Sequence, residues 1–295
     1  MKILITGGAG FIARNLTEQL KDRYRITALN SKQLNLLDYS LVEACLKSGR
    51  FDAVVHTATY DAAPKHSVKD PAKVLENNLR MFFNLARCRK YFGKMIYFGS
   101  GAEFSRPHWQ PRMKEEYFDR HVPADQYGFS KYIMTKYVQG SSKIYNLRLF
   151  GVFGKYDDWR TRFISNACAN VAFGKPVKIK QNVFFDLLYI DDLVKIVRWF
   201  IEHKPKNNVY NVCTGRVYDF KSLAEKIVNI SGKKLKIVIK RKGLGKEYSG
   251  DNSLLLSEIK DLKFSRMEDS LKALYSWCNL NQGMINKSSL LGTTF

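Results

Sequence analysis

The stretch MKILITGGAGFIARNLTEQL, residues 1–20, decides the fold that we expect for this chain. A short apolar run leads into a glycine-rich turn, and apolar residues then recur at roughly helical spacing. This order predicts a strand, a tight turn and a helix. The spacing Gly7-x-x-Gly10-x-x-Ala13 is a variant of the dinucleotide fingerprint, in which glycines let the backbone approach a pyrophosphate. The helix N-terminus would then offer free N–H groups and a positive dipole to that anion.

The same alternation of strand and helix patterns continues to residue 150. Strand patterns lie at 24–30, 52–56, 94–98 and 143–150, and helix patterns lie at 41–47, 71–91 and about 125–138. Alternation of this kind predicts a doubly wound parallel sheet with helices on both faces, the Rossmann-type α/β fold.

Beyond residue 150 the elements become shorter and more mixed. Helix patterns lie at 160–173, 193–203, 219–230 and 267–277, and strand patterns lie at 209–212 and 235–240. We therefore expect a dinucleotide-binding domain at 1–150, completed by about 183–213. A smaller mixed C-terminal substrate lobe would comprise 151–182 and 214–281, followed by a loose tail at 282–295.

Composition narrows the class of protein. The 295 residues are 45% hydrophobic, and no apolar run approaches the ~18 residues of a membrane span. The five cysteines are scattered without a C-x-x-C pair, which predicts reduced thiols in a cytoplasmic protein. The histidines show no ligand spacing, so we expect no metal site.

The formal net charge of +22 is the unusual feature. Such a charge suits nucleic acid, a membrane surface or an anionic substrate. The densest basic run lies between residues 233 and 242, and no block of Lys and Arg is longer than a few residues. We therefore favour charge dispersed over solvated surfaces and expect neither a membrane nor a nucleic-acid partner.

Tyr127 and Lys131 are four residues apart on a predicted helix, so both side chains project from one face. An ammonium beside a phenol favours the phenolate, which predicts a lowered pKa for Tyr127 and proton exchange near neutral pH. Ser100 ends the predicted strand at 94–98, where its hydroxyl could bond a substrate carbonyl.

Together, the glycine turn, Ser100 and the Tyr127/Lys131 pair resemble the extended short-chain dehydrogenase/reductase family, of the NAD-dependent epimerase/dehydratase type. The resemblance covers about residues 1–280, and members of this family act on nucleotide-linked sugars. It implies that Ser100, Tyr127 and Lys131 are catalytic and that Lys131 also binds the nicotinamide ribose. It further implies contacts with the cofactor for Gly7, Gly10, Phe11, Ile12, Asn35, Leu36, Ala58, Asn78, Tyr127 and Phe150.

The end of the second strand bears on the choice of cofactor. Members that prefer NAD carry an acidic residue there, which grips the ribose 2′-OH. This chain has Asn30 at that position, with Lys32 and Arg14 expected nearby. The sequence therefore favours NADP, although NAD stays possible.

Departures from the family pattern narrow the chemistry. Dehydratases carry Asp-Glu where this chain has Gly101-Ala102, so dehydration is not expected. The chain resembles 4-ketoreductases such as GDP-fucose synthase and dTDP-4-dehydrorhamnose reductase. However, it has Ala102 and Tyr156 where GDP-fucose synthase has the Cys and His of its epimerisation step. The remaining expectation is hydride transfer at one carbon, sugar C4.

Two other functions stay open. One is a 4-epimerase that retains NAD tightly, and the other is a non-catalytic dinucleotide- or RNA-binding protein on the same fold. We expect a nucleotide-diphosphate sugar as substrate and a homodimer formed through the helices near 71–91 and 126–138. Candidate substrate-binding residues are Ser100, Glu103, Arg160, Arg162, Phe163, Lys178, Tyr189 and Arg241.

Overall fold

The computed structural model describes residues 1–62 and 67–290. Its strands are β1 (Lys2–Thr6), β2 (Arg25–Leu29), β3 (Phe51–His56), β4 (Phe92–Ser100), β5 (Ile144–Leu149), β6 (Gly151–Phe153), β7 (Val177–Asn182), β8 (Phe184–Tyr189), β9 (Val209–Val212), β10 (Val217–Asp219) and β11 (Ile237–Leu244). Its α-helices are α1 (Phe11–Leu20), α2 (Tyr39–Gly49), α3 (Val74–Arg87), α4 (Gln126–Gln139), α5 (Phe163–Ala172), α6 (Ile190–Glu202), α7 (Phe220–Ser231), α8 (Ser253–Glu258) and α9 (Met267–Leu280).

Six parallel strands form the main sheet, in the order β2-β1-β3-β4-β5-β9. One face is covered by α1 and α6, through residues such as Leu16 and Val197. The other face is covered by α2, α3 and α4, through Val42, Phe82 and Met134. The doubly wound α/β fold predicted from the sequence is therefore confirmed. Its strands all end at one edge, where ligands of such sheets bind.

The C-terminal part adds two small sheets and a second core. β10, β8 and β6 form a three-stranded sheet, and β11 pairs with β7 in parallel. Helices α5, α7 and α9 pack together over these strands. The sequence analysis gave no strand pattern at β6, β7, β8 or β10. β6 and β10 have three residues each, too short a run to show a period of two.

The segment 282–290 differs from the loose tail expected there. Ile285 is 3% exposed and joins the second core. The side-chain amide of Gln282 donates to the carbonyl oxygen of Ala172, so this segment packs on α5. The rest of the expected tail, residues 291–295, lies outside the described residues. Within the described residues, no helix is long and apolar enough to cross a bilayer.

Candidate active site

The glycine turn between β1 and α1 lies close to two neighbouring strand ends. Gly7 has a φ of +68°, and a Cβ there would lie 2.9 Å from the backbone of Ala58, just after β3. A Cβ on Gly8 would lie 2.9 Å from the backbone of Ala28 in β2. Only glycine leaves room for this turn, which forms a cradle at the carboxyl edge of the sheet.

Gly10 begins α1 in an extended conformation and donates its N–H to the carbonyl oxygen of Gly7 at 2.8 Å. Within the described chain no side chain caps α1, so the N–H groups of its first turn remain available to an anion. Phe11 and Ile12 anchor this first turn against the core. The cradle and the uncapped helix therefore fit the pyrophosphate of a dinucleotide.

Asn30 follows β2 and organises the turn beside the cradle. Its side-chain oxygen accepts hydrogen bonds from the backbone N–H groups of Lys32 and Gln33, at 2.9 and 3.2 Å. Lys32 is exposed at this turn. The guanidinium of Arg14 instead lies 3.6 Å from the ring centroid of Tyr156. Lys32 is thus the candidate cation that the structure places at Asn30.

Of the other expected cofactor residues, Asn78 and Leu36 have structural roles. The amide of Asn78 bonds the backbone N–H and carbonyl oxygen of Tyr60, both at 2.8 Å, and so holds the chain after β3 in place. Leu36 is buried in the core between the sheet and α3. Ala58 is half-buried against the cradle and Asn35 is exposed, so both remain free to contact a cofactor.

Ser100, Tyr127 and Lys131 come together where β4 meets α4. The Lys131 ammonium donates to the carbonyl oxygen of Phe98 at 2.9 Å and lies 5.6 Å from the Tyr127 ring centroid. The Ser100 side chain lies near Tyr127, where it acts to lower the pKa of the phenol, and its hydroxyl accepts the N–H of Ala102 at 3.2 Å. Strand end and helix therefore present a hydroxyl, a phenol and an ammonium to one point.

Burial dominates the electrostatics of this trio. It lowers the pKa of Lys131 to about 8, while the carboxylates of Glu103 and Asp61 act in the opposite direction. Burial raises the pKa of Tyr127 above its ordinary value. Asp61 adds to this rise, and Arg162 and the Ser100 hydroxyl oppose it. The expectation of a lowered phenol pKa is therefore wrong for this structure, and the Tyr127 phenol keeps its proton at neutral pH.

Glu103 does not face the substrate side, contrary to expectation. Its carboxylate is 0% exposed and forms an ion pair with Arg148 on β5 at 2.7 Å. It also accepts the backbone N–H of Ser100 at 2.9 Å, and the Arg148 guanidinium donates to Asn211 at 3.0 Å. Because a buried carboxylate requires such partners, we interpret Glu103 as support for the Ser100 turn.

Sequence reasoning missed Tyr248, the residue that closes this site from the C-terminal lobe. Its hydroxyl lies 2.6 Å from where a Cβ on Gly101 would stand, next to Ser100, and burial raises its pKa well above the ordinary range. Its ring lies 4.1 Å from that of Trp109 and 5.2 Å from that of Phe150. Phe150, an expected cofactor residue, thus packs in this aromatic cluster. No motif surrounds Tyr248, so no signal in the sequence marked it.

Asp61 and Tyr97 were also missed. Asp61 lies 4.0 Å from the guanidinium of Arg162, so this pair joins the segment after β3 to the start of α5. Tyr97 on β4 lies beneath Lys131, whose ammonium is 4.6 Å from its ring centroid. Tyr97 continues an apolar strand pattern, which predicts packing and gave no hint of this contact.

The remaining candidate substrate residues lie in different parts of the fold. Arg162 reaches the site, whereas Arg160 is ion-paired with Asp158 at 2.8 Å. Phe163 stacks on Phe220 in the core of the lobe, with ring centroids 3.9 Å apart, so it is a packing residue. For three others the structure gives a position in the fold. Tyr189 ends β8 and packs against both hydrophobic cores, and Lys178 and Arg241 are exposed on β7 and β11.

Residues 3–213 match the model of the NAD dependent epimerase/dehydratase family. A curated relative is the ADP-L-glycero-D-manno-heptose-6-epimerase of Cupriavidus pinatubonensis. It is 27% identical over 264 residues, which span 78% of each chain.

Solved structures show the same fold. UDP-glucose 4-epimerase from Thermotoga maritima superimposes with a TM-score of 0.81 at 22% identity, covering 97% of this chain and 100% of the other. GDP-mannoheptose C4 reductase from Campylobacter jejuni gives 0.80 at 21% identity, covering 94% and 97%. A GDP-L-fucose synthetase from Naegleria fowleri, bound to NADP, gives 0.84 at 16% identity, covering 97% and 95%.

The family model spans most of the chain, including the cradle, Ser100, Tyr127 and Lys131. The resemblance stated from the sequence is thereby confirmed, together with the expectation that the chain is an enzyme. The chain belongs to the NAD dependent epimerase/dehydratase family.

Proposed function

We propose that this enzyme is an NADP-dependent reductase of a 4-keto nucleotide-activated deoxy sugar, acting in the cytoplasm in glycan precursor synthesis. The observation that carries the proposal is the position of the Tyr127 phenol, close to the Lys131 ammonium and the Ser100 side chain where β4 meets α4. A reductase needs a proton donor at the carbonyl oxygen, and a phenol that keeps its proton at neutral pH is suited to that role.

In this mechanism the nicotinamide supplies a hydride to sugar C4 when it is bound. Ser100 donates a hydrogen bond to the C4 oxygen, and Tyr127 transfers its phenolic proton to that oxygen as charge develops. Lys131 stabilises the resulting phenolate, because its ammonium lies 5.6 Å from the centroid of the Tyr127 ring. We assign the sugar diphosphate to Arg162, which acts on the pKa of Tyr127 and lies 4.0 Å from Asp61, and we assign to Tyr248 a contact with the sugar beside Ser100.

A second candidate is a nucleotide-sugar 4-epimerase that retains NAD. It is supported by the curated relative, which is named an epimerase. The two candidates differ in how they treat the dinucleotide. An epimerase returns the hydride to the same sugar and has no need to release its cofactor, whereas a reductase consumes NADPH in every turnover.

Release of cofactor from the purified enzyme by denaturation separates these candidates. We expect little retained dinucleotide, read by absorbance and mass, and tighter binding of added NADPH than of NADH. With NADPH and a 4-keto-6-deoxy sugar linked to GDP, dTDP or UDP, we expect stoichiometric loss of NADPH absorbance. Retained NAD in near-equal amount to protein would instead establish the epimerase.

Asn30→Asp is expected to reverse the preference for NADPH. An aspartate keeps a side-chain oxygen in the place of Asn30 Oδ1, which accepts the N–H groups of both Lys32 and Gln33, so we expect the turn to survive. Its charge repels a 2′-phosphate and bonds a ribose 2′-OH, which we expect to change the ratio of NADPH to NADH affinity by about 10- to 100-fold. Titration of both cofactors by nicotinamide fluorescence measures the ratio. Lys47→Gln on α2 is the control, and an unchanged ratio in Asn30→Asp contradicts our assignment of this turn.

The proposal includes a homodimer through α3 and α4. These helices pack side by side over the main sheet. Leu79 and Phe83 of α3 line a surface groove together with Leu37 and Tyr39. A second copy would cover these apolar side chains.

A further inference from the structure

The positive charge of the chain is not spread evenly. Residues 159–185 and 226–246 together contain thirteen of the 49 Lys and Arg residues and none of the 27 Asp and Glu residues. The sequence alone favours dispersed charge because no block of Lys and Arg is longer than a few residues. The fold joins them, since the first contains β7 and the second contains most of β11, and the two strands pair in parallel.

The lysines of this small sheet share one side of it. Val177 and Ile179 of β7 are buried in the core of the lobe, and Ile237 and Ile239 of β11 pack against that core. Because side chains alternate along a strand, the intervening residues face outward. The exposed lysines here are termed the basic face, and they are Lys178, Lys180, Lys234, Lys236 and Lys240.

The basic face places like charges side by side. Ile239 is paired with Ile179 and Arg241 with Gln181, so Lys240 lies across from Lys180. Like charges at such positions destabilise a sheet. Lys233, outside the basic face, caps the end of α5 by donating to the carbonyl oxygens of Val171 and Ala172, at 2.9 and 2.8 Å. The basic face therefore concentrates positive charge on one exposed side of this small sheet.

Apolar side chains are exposed within the same sheet. Val238 lies between Lys236 and Lys240 and is 43% exposed, and Leu244 at the end of β11 is 61% exposed. Binding of single-stranded nucleic acid uses aromatic side chains on which bases stack, and the described β7 and β11 contain none. Lysines combined with exposed aliphatic residues suit the surface of an anionic bilayer, where the amines meet head groups and the apolar tips enter the interface.

We propose that the basic face docks the enzyme reversibly on an anionic phospholipid bilayer, with Val238 and Leu244 at the lipid interface. The enzyme would then be peripheral to the membrane, which departs from our expectation of no membrane partner. The proposal does not depend on the identity of the sugar substrate, because it rests on the lobe surface alone.

Vesicle flotation of the full chain tests this docking. We expect binding to vesicles of phosphatidylcholine mixed with phosphatidylglycerol, no binding to phosphatidylcholine alone, and loss of binding as salt screens the charges. In the triple variant Lys180→Gln/Lys236→Gln/Lys240→Gln, we expect the partition coefficient to fall by roughly 100-fold, about fivefold for each lysine.

A matched triple variant removes the same charge from exposed lysines of other elements, Lys47→Gln/Lys260→Gln/Lys272→Gln. It should keep vesicle binding close to that of the unmodified chain, and both variants should retain the circular dichroism spectrum. Equal loss in the two triple variants would show that net charge alone acts and would overturn the proposal. Absence of vesicle binding, or binding of single-stranded RNA that only the first variant loses, would overturn it as well.

Discussion

Tyr127→Phe is expected to lower kcat for reduction of a 4-keto sugar nucleotide by about 10²- to 10⁴-fold, the usual contribution of a positioned acid or base. The substitution removes the only proton that Tyr127 offers and leaves the ring in place. The Ser100 hydroxyl and the Lys131 ammonium, which donates to Phe98, keep their supports. Cofactor affinity should stay mostly intact, because the glycine cradle that binds the pyrophosphate does not involve the phenol.

Loss of NADPH absorbance measures kcat, and nicotinamide fluorescence measures binding. Tyr132→Phe is the matched control, since it removes a phenol from the same helix whose hydroxyl bonds Asp119 at the surface. We expect this control to retain normal turnover. Activity of Tyr127→Phe within a few-fold of the unmodified enzyme would remove Tyr127 from the mechanism and revive the hypothesis of a non-catalytic dinucleotide-binding protein.

Arg148→Met is expected to lower the free energy of unfolding by about 3–5 kcal/mol, because it leaves the charge of Glu103 buried without its partner. Both side chains are 0% exposed in the pair. The methionine also loses the hydrogen bond that the guanidinium donates to Asn211. The double variant Glu103→Gln/Arg148→Met removes both charges and should recover a large part of this loss.

Urea titration followed by fluorescence and circular dichroism gives these free energies. Lys221→Met provides the comparison, since its ion pair with Glu225 lies on the surface with both side chains more than half exposed. Such pairs contribute about 0–1 kcal/mol. If Arg148→Met and Lys221→Met cost the same, or if the double variant is no better than the single one, the buried pair does not stabilise the Ser100 turn as inferred.

The sequence was sufficient to predict those parts of the structure that neighbouring residues determine. The glycine spacing from Gly7 to Gly10 requires one backbone path, and the four-residue spacing of Tyr127 and Lys131 fixes them on one helical face. Strand β4 then had to end near both, because all parallel strands of the sheet end at the same edge. These local rules recovered the doubly wound fold and the proximity of Ser100, Tyr127 and Lys131.

Contacts between parts of the chain that are distant in sequence could not be predicted from the sequence. The sequence analysis placed Glu103 near the substrate. Its burial could not be predicted, because it depends on the ion pair with Arg148 on β5, which lies far away along the chain. The sequence analysis predicted that Phe163 contacts the substrate, whereas in the structure Phe220 of α7 stacks on its ring. Tyr248 approaches Ser100 from a segment more than a hundred residues further on, and spacing along the chain cannot reveal such a neighbour.

The bond between the Ala102 N–H and the Ser100 oxygen has a consequence for ligand choice. A hydroxyl that already accepts a backbone donor directs its own hydrogen toward an acceptor, and the neighbouring Tyr127 and Tyr248 phenols both hold their protons at neutral pH. Three hydroxyl groups that can act as hydrogen-bond donors thus lie around one small space. An oxygen with two lone pairs and no hydrogen, as in a ketone, satisfies that space better than an alcohol does. The hydrogen-bond donors around the Ser100 turn therefore favour binding of a keto sugar over the corresponding alcohol.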